Sequence, residues 1–136
     1  MSQSELTRAR VATTLAFMVN GFAVGIIVSQ LPDYKFHLRI SNGALGMALF
    51  LLAAGVLSAL GPGGRWAAKH GSARITVLGT VAVIFAMPLV GLSFNYITFC
   101  STLYLFGFSV ALQDVAMNTH AVTLEQRFKR RVMSTF

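Results

Sequence analysis

Asp114 and Asn118 stand four residues apart, directly after a run from 75 to 113 that contains no Asp, Glu, Lys or Arg. Residues three or four apart share one face of a helix. A carboxylate at the centre of a membrane helix costs about 2.5–3.5 kcal/mol, so such residues are rare and usually functional. The chemistry open to this pair is proton carriage: an acid that takes up and releases a proton can couple it to a change of shape, and the amide can hydrogen-bond the acid or a solute. A purely structural alternative pairs Asp114 with an arginine at a neighbouring helix end, Arg65 or Arg74. Two more polar side chains, Asn20 and Gln30, lie on a stripe of mostly small or polar residues, Thr13, Ala16, Asn20, Ala23, Ile27 and Gln30, at helical spacing. That face is expected to turn toward protein or water. The candidate residues for proton coupling or substrate binding are therefore Asp114, Asn118, Asn20 and Gln30. Glu125, among basic residues, reads as a solvated or salt-bridged structural group.

The elements that carry these residues follow from where charge is missing. The chain has 136 residues, of which 55% are hydrophobic and 11% charged, with a mean hydropathy of +0.68. Soluble domains carry about 25% charged residues, which argues against a soluble or disordered chain. Charge-free runs cover 11–32, 40–64 and 75–113. A membrane helix needs about 20 apolar residues, so the first two runs fit one crossing each. The third would make a helix of about 58 Å, nearly twice the thickness of the hydrocarbon layer, and must fold into two. The expectation is an all-α polytopic membrane protein forming a single membrane domain over 1–136. Its helices fall at about 11–31, 42–60, 75–92 and 97–124.

Local chemistry sets those ends. Proline disfavours helix just before it, which stops the first helix at Leu31-Pro32 and leaves a short loop over 33–39. Ser41 or Asn42 caps the second helix, and Gly61-Pro62-Gly63-Gly64 ends it. Pro88 lies inside the third, where a membrane bundle tolerates it. Residues 93–96 hold the best turn chemistry in the long run. The fourth helix starts near Ile97, has room to continue to about Phe128, and places Asp114 roughly 26 Å from its outer end.

Basic residues give the direction. Nine lie in the N-terminus (Arg8, Arg10), the loop 65–74 (Arg65, Lys69, Arg74) and the tail 125–136 (Arg127, Lys129, Arg130, Arg131). The other side holds Lys35 and Arg39. The positive-inside rule then puts both termini, the loop and the tail in the cytoplasm. The net charge of +7 is thereby explained by helix flanks, with no role for nucleic acid. The N-terminal apolar run is too long for a signal-peptide core and has no clear cleavage site, so it reads as a retained helix. A lone Cys100 forms no intrachain disulfide, and with His37, His70 and His120 scattered, no metal site is expected. No spacing joins a nucleophile to a base and its orienting group, so no enzyme and no cofactor is expected.

Two helix surfaces stand out. Gly21 and Gly25 form a GxxxG step, which lets helix backbones approach closely in membranes. The second helix carries Gly43, Gly46, Ala54, Gly55 and Ser58, for tight contacts or for bending. On the fourth, Gly107, Ala111, Asp114, Asn118, Ala121 and Glu125 share a face that runs from small to polar to acidic. Leu105, Phe108 and Leu112 lie roughly opposite and are expected to face lipid.

The pattern Gln113-Asp114-Val115-Ala116-Met117-Asn118, followed by Glu125, a basic cluster and Val132-Met133-Ser134-Thr135-Phe136, resembles helix 4 and the next loop of fucose-permease-like transporters of the major facilitator superfamily. The first helix ending in Leu31-Pro32 and the Gly-rich second helix with Leu45-Gly46 fit the same resemblance. The superfamily's loop between helices 2 and 3 is matched at Gly64, Lys69 and Gly71, with Arg74 just beyond its final basic pair; its acid is replaced by Ala68. The resemblance implies that Asp114 is the proton-linked carboxylate of helix 4 and Asn118 the amide that follows it. The branch's acid in helix 1 is Val28 here.

The resemblance spans essentially the whole chain but only the first four of the family's twelve helices. It implies transmembrane transport of a small solute, as part of a proton-coupled secondary transporter for a sugar or another hydrophilic metabolite. Its partners would be membrane lipid, the solute and the remaining helices of a full-length transporter, and the chain would be a fragment of one. The location implied is the plasma membrane, a bacterial inner membrane. Two alternatives stay open: a complete four-helix drug exporter acting as a dimer, and a non-transporting membrane subunit.

Overall fold

A computed structural model describes the backbone of residues 3–128 and the side chains of residue 8 and residues 11–119. The described residues form four helices and no strand: α1 (Gln3–His37), α2 (Asn42–His70), α3 (Ser72–Gly91) and α4 (Tyr96–Phe128). All four contain a stretch long and apolar enough to cross a membrane. The fold class expected from the charge-free runs is the one observed.

Helix ends differ from the expectation wherever proline or glycine was read as a stop. Helix α1 runs through Pro32 to His37, and α2 runs through the Gly-Pro-Gly-Gly segment to His70. Proline removes one N–H, a small loss where neighbouring helices pack around the site. In α2 that packing is visible: Ala59, Gly63 and Ala67 are buried, and Gly63 lies against Leu112 and Val115 of α4. Tertiary contact overrides propensity here. The expected ten-residue loop 65–74 thereby shrinks to Gly71 alone, whose φ of 91° favours glycine. Its N–H closes α2 on the Ala67 carbonyl at 3.0 Å.

The remaining ends are closed by local hydrogen bonds, the expected Ser41 cap among them. Ser41 Oγ accepts from the Ala44 N–H at 3.1 Å, capping α2. Asn95 caps α4 reciprocally: its Oδ1 accepts from the Thr98 N–H at 2.8 Å, and the Asn95 N–H donates to Thr98 Oγ1 at 3.3 Å. The end of α1 is a Schellman turn in which Ile40 N–H reaches Lys35 O and Arg39 N–H reaches Phe36 O. Arg39, at φ 52°, occupies the left-handed position that glycine usually fills.

Helix α4 is the spine. Phe99, Leu103, Phe106, Gln113, Ala116 and Met117 are all fully or nearly fully buried. Gly55 of α2 faces the backbone of Tyr104 and Phe108, and Gly107 of α4 faces the backbone of Leu52; a Cβ at either would collide with main-chain atoms. Two tyrosines stitch the same seam, Tyr96 OH donating to Ala44 O and Tyr104 OH to Ser58 Oγ, each at 2.9 Å. Because 44 meets 96 and 63 meets 112, α2 and α4 run parallel. Helix α3 runs antiparallel to α4, with Gly79 against Gln113 and Ser93 3.0 Å from Thr102. Helix α1 is also antiparallel to α4, with the Tyr34 and Phe99 rings 5.1 Å apart and tilted by 41°. Phe22, Phe50, Leu57 and Phe85 point outward, more than 60% exposed, an apolar exterior suited to lipid.

Candidate transport site

The α1 stripe turns inward as expected over most of its length: Thr13, Ala16, Ala23 and Ile27 are buried and Asn20 is half-buried. Gln30 departs from it. It is exposed and accepts a hydrogen bond from Tyr34 of its own helix at 2.9 Å. It also lies 14 residues, or about 21 Å, from the level of Ala16, so it does not join the other candidates.

On α4, Asp114 and Asn118 are both half-buried. Among the described residues no hydrogen bond joins them, and no ion pair joins Asp114 to Arg65 or Arg74, both exposed. The structural pairing considered for Asp114 is therefore not the arrangement formed. Leu112, expected toward lipid, is instead buried at 8% exposure against Gly63, because α4 is surrounded on more sides than a single small-residue stripe implies. Leu105 is exposed as expected and Phe108 half-buried. The GxxxG step also departs from expectation. Gly21 and Gly25 are exposed, with nothing among the described residues within 4 Å of a Cβ at either. Gly43 and Gly46 are likewise exposed, and Gly55 is the glycine of that helix-2 set that makes the tight contact. Ala121 and Glu125 lie outside the residues whose side chains are described.

Gln113, which precedes Asp114 in the motif, ties α1 to the site. It is fully buried. Its Nε2 donates to the Ala16 carbonyl at 2.9 Å, across 97 residues of sequence. Its Oε1 has no partner among the described residues, an imbalance of about 1–3 kcal/mol. Gly79 leaves α3 so close that a Cβ there would come within 2.7 Å of Gln113 Cα. Three helices thus meet at position 113, one residue before Asp114, and Asn20 stands one turn from Ala16. The signal for Gln113 was available: a lone amide inside an apolar span beside the acid.

The loop-motif residues lie together where α2 hands over to α3. Gly64 is half-buried within α2, Lys69 is exposed in its last turn, Gly71 is the junction, and Arg74 is exposed in the first turn of α3. Lys69 there also opposes the negative end of the helix dipole. Among the described residues no cluster of His, Cys, Asp or Glu could hold a metal ion.

Comparison with known proteins adds the class. The chain is 28% identical over 120 residues to an uncharacterized transporter of Sinorhizobium fredii, covering 88% of this chain and 32% of that protein. It is 29% identical over 127 residues to an uncharacterized MFS-type transporter of Yersinia pestis, covering 93% and 33%. The chain is similar to membrane transporters. Membrane protein MosC of Rhizobium meliloti is 28% identical over 123 residues, covering 90% and 30%. The chain spans about a third of the length of these curated relatives, none of which is named as an enzyme. No family model and no solved structure matches it.

Proposed function

We propose that the chain supplies the first four helices of a proton-coupled secondary transporter of the major facilitator superfamily, in the fucose-permease-like branch. Its solute is a sugar or another small hydrophilic metabolite. Asp114 is the proton carrier, with Asn118 and Asn20 as polar contacts for the acid or the solute. The observation that carries this reading is a half-buried carboxyl inside a membrane span, joined to no described cation. An acid so placed is held at a cost that a purely structural helix would avoid. Support for the class comes from the transporter relatives along nearly the whole chain.

In this reading the rest of the transporter supplies the facing half of the solute site, as in folds built from repeated helical units. The gathering of Arg8, Arg65, Lys69 and Arg74 at one end supports cytoplasmic termini in a plasma membrane; a reporter fused after Arg131 should read as cytoplasmic. In cells carrying the transporter as its gene encodes it, Asp114→Asn should abolish uptake driven by a proton gradient while membrane insertion is unchanged. Full uptake in that variant contradicts the assignment. The open Gly21–Gly25 step favours one second reading, a membrane subunit packed against a larger partner, for which Asp114→Asn would leave solute movement untouched.

A further inference from the structure

Between the inner halves of α1 and α3 lies a crevice of about 580 Å³, bordered by Thr13, Ala16 and Val19 on one side and Ala73, Thr76 and Thr80 on the other. The crevice parts α1 from α3 here, whereas farther along Ala23 and Ile27 of α1 share a core with Val83, Ala86 and Val90 of α3. At the level of the crevice α1 is held toward α4 by the hydrogen bond from Gln113 to the Ala16 carbonyl. That amide is half satisfied, since Oε1 is buried without a partner among the described residues. A half-satisfied buried amide is a poorer stabiliser than an apolar side chain of the same shape. Stability alone therefore favours leucine at this position, and what the amide adds is direction: an N–H aimed at one carbonyl of α1. Reversing the amide would set its oxygen against the Ala16 oxygen, so the orientation is fixed.

We infer that Gln113 is a positioning residue that docks the inner half of α1 on α4 at the level of Asp114, with Asn20 one turn farther out, the crevice toward α3 being the room into which α1 moves when that bond breaks. The structural part stands on the bond, the orphaned oxygen and the crevice; its relevance to transport rests on the reading of Asp114 above. Asp114 itself makes no side-chain hydrogen bond or ion pair among the described residues. The elements packed on position 113 bring Ala16 from α1 and Gly79 from α3. Neither titrates, and the titratable neighbour is Asp114 on α4.

The test reads the α1–α2 separation by electron-spin distance measurement in lipid nanodiscs. Labels go on the exposed positions Met18 and Leu60 as Met18→Cys and Leu60→Cys, with Cys100→Ala. Asp114→Asn is included so that pH does not act through the native acid. With Gln113 present, one short distance is expected at acidic and alkaline pH. Gln113→Leu should add a longer component at both. Gln113→Glu should give the short distance at acidic pH, where the neutral acid can donate to Ala16, and the longer one at alkaline pH, where the carboxylate cannot. This pH-dependent rescue is a signature that simple filling of space would not produce, and it also shows that the variant folds. If Gln113→Leu keeps the native distance, or Gln113→Glu is insensitive to pH, the inference is overturned. Because the native acid is absent throughout, failure here is distinct from failure of the proton-carrier reading, which uptake by the single Asp114→Asn variant decides.

Discussion

The α2–α4 seam and the α1 attachment are two ways of joining helices to one spine. Along the seam, Gly55 and Gly107 bring backbones into contact and Tyr96 and Tyr104 add hydrogen bonds across it. Helix α1 instead meets α4 through the Gln113 amide and the Tyr34–Phe99 ring contact and packs Ala23 and Ile27 into a core shared with α3, with its own glycine step facing away. In lipid the apolar exterior drives no association, so contact quality decides which joints are rigid. The difference teaches that glycine spacing in a membrane helix announces a close approach only where a partner helix reaches it.

Replacing glycine on both sides of the comparison should break it most strongly. Gly107→Leu or Gly55→Leu sets a side chain against main-chain atoms that cannot yield, and should cost about 3 kcal/mol or more. Thermal unfolding in detergent checks this. Gly21→Leu and Gly25→Leu should stay within about 0.5 kcal/mol of the parent. Equal losses at the two pairs would erase the distinction. Next in size is the leucine pair on α4: Leu112→Ala opens a cavity under Gly63 and should cost about 2 kcal/mol, while Leu105→Ala, on the outer surface, should cost far less in the same measurement. The smallest effect lies at the end of α1. Arg39→Gly removes a left-handed non-glycine residue and should stabilise by about 1 kcal/mol, seen as slower amide exchange in the last turn of α1 alone.

Much of this architecture is legible without coordinates. The charge-free runs set the number of crossings, and the turn chemistry of residues 93–96 splits the longest one, where the structure adds the Asn95–Thr98 cap. Asp114 and Asn118 are conspicuous because an apolar span leaves few polar residues to consider. The stop signal of Gly61–Gly64 is overridden where Ala59, Gly63 and Ala67 are buried, Gly63 against α4, while α1 runs on past an exposed Pro32. Leu112 was misplaced because one small-residue stripe does not show how many neighbours surround α4. Gln30 shares a face with Asn20 but not a depth, and spacing alone carries no depth. Gln113 is visible as an amide beside the acid, but its partner, a backbone carbonyl 97 residues away, is written in no local spacing.

Proton coupling requires Asp114 to change its protonation state. Infrared difference spectroscopy between acidic and alkaline pH reads that directly, through the stretching band of a protonated carboxyl. The protein in lipid should show such a band, sensitive to pH and absent from the Asp114→Asn variant. Identical difference spectra from the two proteins would contradict the account.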